Sequence, residues 1–480
     1  SGGFLPWPHC ILEQMSSLQK IFKMYDIRGL VGSEMTFDGV KAIGAAFADE
    51  LELAGKSLVV GHDMRDSSVE FVEAFIEGAN ARGADAINLG LCSTDECYFA
   101  SGHLDAAAAM FTASHNPATY NGIKLSRAGA RGISMDTGLS AILERAEKYL
   151  ASGIEEVDEP GFSSEHEIMG EYASYLRQLV DLSAIRPLKI VIDAANGMGG
   201  LTAPSVLGTS ANLAKLPLEI VPLYFELDGS FPNHEANPLD PKNLVDLQKA
   251  VLQHKADVGL AFDGDADRVF VIDEKGQPVT PSAIAAIVSL SEIARAKAKG
   301  ETNIAVLHNL LTSKAVAEYI EGAGAKPVRT RVGHSLIKDE MAKTGAIFGG
   351  EHSAHYYFKD FYGADSGMLA AMHVLREFGL QDKPLSEFTS GFDPYFASGE
   401  INSTVTDASS KIAQIRTEYS NNPFDELDGV TIASAEGESP WWWFNVRSSN
   451  TEPLLRLNVE SSDQAACKAL TDKVLGIIRS

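Results

Sequence analysis

Three times this chain runs from a short apolar stretch straight into polar residues. Ser57-Leu58-Val59-Val60-Gly61 breaks into His62-Asp63-Met64-Arg65-Asp66, and Lys189-Ile190-Val191-Ile192-Asp193 into Ala194-Ala195-Asn196-Gly197-Met198-Gly199-Gly200. Asn303-Ile304-Ala305-Val306-Leu307 breaks into His308-Asn309-Leu310-Leu311-Thr312-Ser313. A strand covered on both faces reads as a continuous apolar run, and a parallel strand delivers its last side chains to the sheet's carboxyl edge. Each opening precedes helix-compatible sequence, so three related α/β units are predicted, without a strict sequence repeat. At 480 residues the chain is too long for one core, at about 150 residues per domain. Beyond Lys383-Pro384 the character changes. Trp441 to Arg447 and Leu454 to Val459 read as strands, and a terminal helix carries Leu470, Val474, Ile477 and Ile478 on one side. That predicts a fourth, smaller α+β unit.

The acidic stretch Glu155 to Glu165, with Pro160-Gly161, reads as a first linker, Pro278 to Pro281 as a second and Lys383-Pro384 as a third. The expected units are 20–160, 161–279, 280–388 and 389–480, after an N-terminal arm or tag remnant over 1–19. Ser1 to Gln14 lacks a basic segment followed by an apolar core, which argues against a signal peptide. No apolar run reaches the ~18 residues of a membrane span. A net charge of −25 argues against nucleic-acid binding through a basic face. Cys10, Cys92, Cys97 and Cys467 form no Cys-x-x-Cys pair, so buried apolar thiols and a reducing cytoplasm are expected.

Several segments carry chemistry. Ala106 to Met110 suits a buried strand, and it leads into Phe111-Thr112-Ala113-Ser114-His115-Asn116-Pro117, then Tyr120-Asn121-Gly122-Ile123-Lys124. Pro117 has no N–H and biases Asn116 away from helix, which puts Ser114 on a tight, exposed loop. A hydroxyl beside a histidine is a nucleophile candidate, although a turn serine bonded to backbone reads the same way. Asp257 to Phe262 is an apolar run feeding Asp263-Gly264-Asp265-Ala266-Asp267-Arg268. Three carboxylates at alternate positions repel unless a cation joins them, and a hard divalent ion such as Mg²⁺ suits oxygen ligands. Two rivals stand beside it. An EF-hand would use Asp263, Asp265, Asp267 and Glu274, but Arg268 sits where that loop needs glycine; a phosphatase would use an aspartyl nucleophile.

Thr330 to Lys338 contains a Gly333-His334-Ser335 turn that would place His334 and two cations near one point. Gly350-Glu351-His352-Ser353-Ala354-His355 offers a carboxylate and a hydroxyl able to grip vicinal sugar hydroxyls. Arg447-Ser448-Ser449-Asn450-Thr451-Glu452-Pro453, between two strands, can surround an oxyanion with a guanidinium, hydroxyls and an amide.

Taken in order, these segments resemble the α-D-phosphohexomutase superfamily over roughly residues 20 to 480. The matches are Tyr25-Asp26-Ile27-Arg28-Gly29, the Thr-Ala-Ser-His-Asn-Pro loop, the aspartate triplet, the Gly-Glu-x-Ser-Ala-His segment and Arg-x-Ser-Asn-Thr-x-Pro. The resemblance implies four domains with mixed sheets around a central cleft, the first bearing a phosphoserine at Ser114. It implies a metal site of Ser114, Asp263, Asp265 and Asp267 for Mg²⁺, and catalytic roles for Ser114, Lys124, His334, His355, Arg268 and Arg28. Tyr25, Glu351, Ser353, Arg447, Ser449, Asn450 and Thr451 are implied substrate contacts. The implied activity interconverts hexose 6-phosphate and hexose 1-phosphate through a 1,6-bisphosphate. The amino-sugar branch typically has Gln where this chain has His352, which favours mannose and glucose phosphates. A phosphoglucosamine mutase and a metal-dependent sugar phosphatase remain the alternatives. The expected partners are hexose phosphates, with no nucleic acid and no membrane, for a cytoplasmic monomer or weak homodimer.

Overall fold

The structure is a computed structural model that describes residues 17–449 and 452–480, except for the side chains of Ser17, His334 and Ser335. Most of the proposed arm, Cys10, Asn450 and Thr451 therefore lie outside the described residues. Among the described residues the strands form four sheets.

In the first sheet Ser57–His62 lies between Asp85–Leu91 and Ala107–Phe111, parallel to both. Tyr120–Arg127 then pairs antiparallel with Ala107–Phe111 and carries Ile27–Leu30 on its far side. The predicted buried strand is Ala107-Ala108-Ala109-Met110-Phe111, covered on both faces. Its three alanines let helices Ser68–Ala81 and Thr94–His103 approach the sheet closely. The second sheet centres on Leu188–Asp193, parallel to Leu218–Leu223 and Val258–Phe262. Val269–Asp273 returns antiparallel beside Val258–Phe262. The third sheet runs Ala305–Asn309 parallel to Lys326–Thr330 and Phe348–Gly350, then turns antiparallel through Tyr356–Phe358. The fourth sheet pairs its strands antiparallel, under helices Ala408–Glu418 and Gln464–Ile478. Three α/β units with mixed sheets and a C-terminal α+β unit, as predicted, make up the molecule.

The joints are shorter than composition implied. Pro278–Val279 is a strand of the second sheet, and Pro281 already begins helix Pro281–Ala298, with Thr280 as its N-cap. The acidic stretch leads into Ser163–Glu165, an edge strand still paired in the first sheet. One apolar cluster runs through the first three units, joining Val59 and Phe99 to Leu176, Leu260, Ile287 and Leu369. The fourth unit has its own cluster, including Ile415, Phe444, Leu457 and Val474. Polar contacts join it to the third unit: Arg329 Nη1 to Asp425 Oδ2 at 2.7 Å and the Val332 N–H to Asp428 Oδ2 at 3.0 Å. The first three units thus share a core, while the fourth keeps its own. No described helix is long and apolar enough to cross a membrane. Cys92 and Cys97 are buried thiols, as expected.

Helix Thr94–His103 has little amphipathicity in its sequence because almost every side is covered. It begins in a capping box, with Ser93 and Glu96 bonding each other's backbone N–H. The first three units meet at Asp95, which accepts hydrogen bonds from Tyr172 and Ser366 at 2.5 and 2.7 Å. Burial pushes the Glu96 carboxyl up to about 8, against the Ser93 hydrogen bond and helped by Asp95. A carboxyl raised from roughly 4.3 in the unfolded chain stabilises the fold fully below that value and loses the contribution as pH rises through the folded one. The melting temperature is therefore expected to fall between about pH 4 and 8 and to level off above that, and Glu96→Gln, which keeps the acceptor, should flatten the fall. Calorimetry of both proteins checks this, and parallel pH slopes would refute it.

Candidate active site

Ser114 sits just past the carboxyl end of Ala107–Phe111, in left-handed backbone at φ 53°. Its N–H donates to Thr112 Oγ1 at 2.9 Å. The loop is tight as predicted and exposed over Pro117 to Thr119, but Ser114 itself is only 5% accessible. Sequence could not show that the aspartate loop of the second unit packs over it. The contact is backbone on backbone: a Cβ on Gly264 would lie 2.3 Å from the Ser114 carbonyl oxygen. A hydroxyl of one unit is thereby fixed against carboxylates of another, with Ser114 Oγ donating to Asp263 Oδ2 at 3.4 Å.

Strand Val258–Phe262 delivers Asp263, Asp265 and Asp267 to its carboxyl end, all essentially buried. Strands rather than helices flank the loop, and Glu274 is turned away to accept the Ser386 N–H at 2.9 Å. The EF-hand reading is thereby excluded. Lys124 Nζ reaches across from the first unit to Asp265 Oδ2 at 2.8 Å and Asp267 Oδ2 at 2.9 Å. Arg268 Nε donates to Asp263 Oδ2 at 2.9 Å, and its Nη2 donates to His115 Nδ1 at 2.8 Å.

The electrostatics follow from burial. Desolvation, then Asp267 and Asp265, push the Asp263 carboxyl well above the usual carboxylate range. Burial would raise Asp267 too, but Lys124 holds it below that range. Burial alone would discharge Lys124, yet Asp265 and Asp267 keep it firmly an ammonium. Burial, with Arg268 and Arg28, lowers His115 to about 3, so its ring is neutral at pH 7. Asp263, Asp265 and Asp267 each offer an oxygen within 4.8 Å of the others. Asp265 Oδ1 and Asp267 Oδ1 are buried and accept no hydrogen bond among the described residues. Unsatisfied buried carboxylate oxygens are costly, and a hard divalent cation with oxygen ligands fits this donor set.

In front of these groups lies a cavity of about 430 Å³. Of the sequence-predicted residues, Tyr25, Arg28, Ser114, Lys124, Asp267, Arg268 and His355 line it. Arg28 is braced by Asn116 Oδ1 at 2.7 Å and Asp26 Oδ2 at 2.6 Å. His355 Nδ1 lies 3.1 Å from Asp365 Oδ2, an arrangement in which the carboxylate orients the ring. His334 is the first residue of helix His334–Thr344 rather than part of a turn, and its side chain lies outside the described residues. Gly333 before it takes φ 149°.

Some expected residues stand apart. Glu351 is buried, held by the Tyr357 hydroxyl at 2.9 Å, and neither it nor Ser353 lines the cavity. Arg447 and Ser449 do not line it either. Arg447 Nη2 instead lies 3.5 Å from Glu400 Oε2, and Arg456 Nη1 3.8 Å from the other oxygen of Glu400. His352, whose identity separated the branches, contacts Ser282 Oγ at 2.9 Å in a small cavity between the third and fourth units.

Sequence reasoning missed Tyr98 and Asp365, and named Lys338 and His115 within their segments without giving either a role. The Lys338 ammonium lines the cavity 4.0 Å above the Tyr98 ring and 3.9 Å from Asp365 Oδ1. The signal for Lys338 was its position one turn along the helix opened by His334. Nothing local marked Tyr98, which comes from the helix between the units.

Models of the phosphoglucomutase/phosphomannomutase α/β/α domains I, II and III match residues 19–151, 170–276 and 280–395, and that of the C-terminal domain matches 400–477. The chain belongs to the phosphoglucomutase/phosphomannomutase family. It is similar to the phosphohexose mutases of Xanthomonas campestris pv. campestris, at 38% identity over 95% of this chain and 99% of the relative. It is likewise similar to the phosphomannomutase of Escherichia coli K12, at 38% identity over 95% of this chain and 98% of the relative. Among solved structures, a family protein from Burkholderia thailandensis superposes with a TM-score of 0.83 at 29% identity, over 96% of this chain and 97% of the other.

Proposed function

We propose that the chain is a phosphohexomutase acting chiefly on mannose phosphates, with glucose phosphates as second substrates. The observation that carries the reading is Ser114, held in left-handed backbone against buried carboxylates and beside Lys124 and Arg268. The phosphorylated serine gives its phosphoryl group to the free hydroxyl of a hexose monophosphate. The P–O bond to Ser114 Oγ breaks, a P–O bond to the sugar forms, and the hydroxyl proton leaves to a base. The resulting bisphosphate turns over, and its other phosphate returns to Ser114. His355, oriented by Asp365, is suited to take the proton. Lys124 remains charged and, with Arg268, faces the developing negative charge. Asp263, Asp265 and Asp267, together with Ser114, would hold Mg²⁺, which supplies Lewis-acid charge stabilisation at the transferring phosphoryl oxygens.

The phosphatase alternative fits less well. Both oxygens of Asp263 accept hydrogen bonds from Arg268, and the side chain is fully buried behind Ser114. Relatives named phosphomannomutase at 38% identity support mannose over the amino sugar. The enzyme is expected to work in the cytoplasm as a monomer or weak homodimer. The test is turnover of mannose 1-phosphate, glucose 1-phosphate and glucosamine 1-phosphate, primed with a hexose 1,6-bisphosphate. Release of inorganic phosphate without isomerisation would sink the mutase reading, and fastest turnover of the amino sugar would sink the sugar assignment.

The fourth unit is read as a clamp on whichever phosphate is not reacting, with Arg447 supplying a guanidinium now facing Glu400. The Arg447 and Arg456 Nε atoms are buried without an acceptor among the described residues, leaving donor capacity beside the loop. Arg447→Ala is expected to remove a charge-assisted contact of roughly 1.5–3 kcal/mol, about ten- to a hundredfold in kcat/KM. The loss should be equal for 1-phosphate and 6-phosphate substrates, measured in both directions. A loss confined to one direction would make this a fixed subsite instead.

A further inference from the structure

We propose that Arg65 is the positioning residue of the serine loop, the group that keeps Ser114 in its reactive conformation. The inference rests on the reading of Ser114 as phosphoryl carrier. Arg65 lies after the first strand-to-polar break, two residues beyond Asp63, and its side chain is 1% accessible. A guanidinium has five N–H donors in a fixed fork. Here all five have acceptors. Nε donates to Asp63 Oδ2 at 3.1 Å, Nη1 to the carbonyls of Pro117 and Tyr120 at 2.8 and 3.0 Å, and Nη2 to those of Asn116 and Ser114 at 2.8 and 3.2 Å. Four of the five acceptors are carbonyls of one loop, converging on one buried cation.

This convergence accounts for the loop's shape. Ser114 adopts φ 53°, a region that a residue with a Cβ visits only when its surroundings hold it there. The Pro117 carbonyl also accepts the Tyr120 N–H at 3.1 Å, whereas the Ser114 and Asn116 carbonyls take their donor from Arg65. Asp63 fixes the other side of the fork: its Oδ1 accepts the Arg65 N–H and the Ser68 hydroxyl, both at 3.1 Å. Arg65 does not line the catalytic cavity, so it acts on the chemistry through the loop that carries Ser114.

A lysine carries its charge at one point with three donors and cannot span four carbonyls in a plane. Arg65→Lys is expected to lower kcat by about a hundredfold or more while the KM for hexose 1-phosphate stays within about threefold, because Lys124 and His355 are held by other elements and Arg28 keeps its Asp26 partner outside the loop. Phosphorylation of Ser114 by hexose 1,6-bisphosphate, followed by intact mass, should slow by the same factor. Amide exchange at residues 115–120 should accelerate while the rest of the first unit is unchanged. Arg65→Ala should regain phosphorylation in millimolar methylguanidinium, which can refill the buried space. An Arg65→Lys enzyme with kcat within threefold of wild type would overturn the proposal. So would a folded Arg65→Ala protein that methylguanidinium does not improve. If Arg65→Lys fails to fold, the alanine variant and its rescue decide the matter. Activity in Ser114→Ala would instead overturn the carrier reading, whatever Arg65 does.

Discussion

Ser114→Ala is expected to lose mutase activity by about three orders of magnitude or more while keeping the fold of the parent. Removing a covalent carrier leaves only binding and positioning, and a nucleophile's contribution is typically of that size or larger. The fold should survive because what holds the loop does not involve the hydroxyl. Arg65 binds four of its carbonyls, and Thr112 accepts the N–H of residue 114. What the substitution removes from the native contacts is the long 3.4 Å hydrogen bond to Asp263. The melting temperature should therefore move little, although alanine retains the left-handed strain. Intact mass should show one phosphate removable by phosphatase in the wild type after priming, and none in the variant. Retention of even a tenth of wild-type turnover would sink the assignment.

How far the sequence carried depended on whether a signal was local. Strand-to-polar breaks at Gly61, Asp193 and Leu307 located the core strands of three sheets, because a strand buried on both faces is apolar throughout. The aspartate triplet was equally legible as a site, since carboxylates at 263, 265 and 267 repel unless cations join them, although its sequence alone left a phosphatase reading open. Its burial beneath Ser114 was not legible, because that depends on two loops of different units touching at Gly264. The same holds for Lys124, whose ammonium completes a carboxylate cluster more than a hundred residues away. Helix Thr94–His103 was missed altogether: covered on nearly every side by three units, it has no periodic apolar face to announce it. Linker reasoning overestimated the joints for a related reason. Prolines at 278 and 281 sit on an edge strand and at the first turn of a helix, both places where a missing N–H costs nothing.

Removal of divalent metal is expected to abolish turnover reversibly, and the reason lies in the aspartate loop. Three carboxylates within 4.8 Å of one another are buried with Lys124 and Arg268 as their cations. Those two charges leave Asp265 Oδ1 and Asp267 Oδ1 without a hydrogen bond among the described residues. A small divalent ion would give these oxygens a partner, while Lys124 can turn toward the phosphoryl group in the cavity. Chelation should therefore lower activity by about a thousandfold or more, with recovery on adding Mg²⁺. Ca²⁺ should bind but support turnover poorly, since it prefers longer bonds and looser coordination. A second readout is independent of catalysis. Ligand binding to the folded state alone stabilises it by mass action, about 2.7 kcal/mol at a hundred times Kd. Mg²⁺ should thus raise the melting temperature of the wild type, and of Ser114→Ala to a similar extent. In Asp265→Asn the charge is lost while the side chain keeps its shape, so the Mg²⁺-induced shift should disappear together with activity. Full turnover in excess chelator would refute the metal's role. An unchanged melting shift in Asp265→Asn would place the ion elsewhere, and the orphaned oxygens of this loop would then need another explanation.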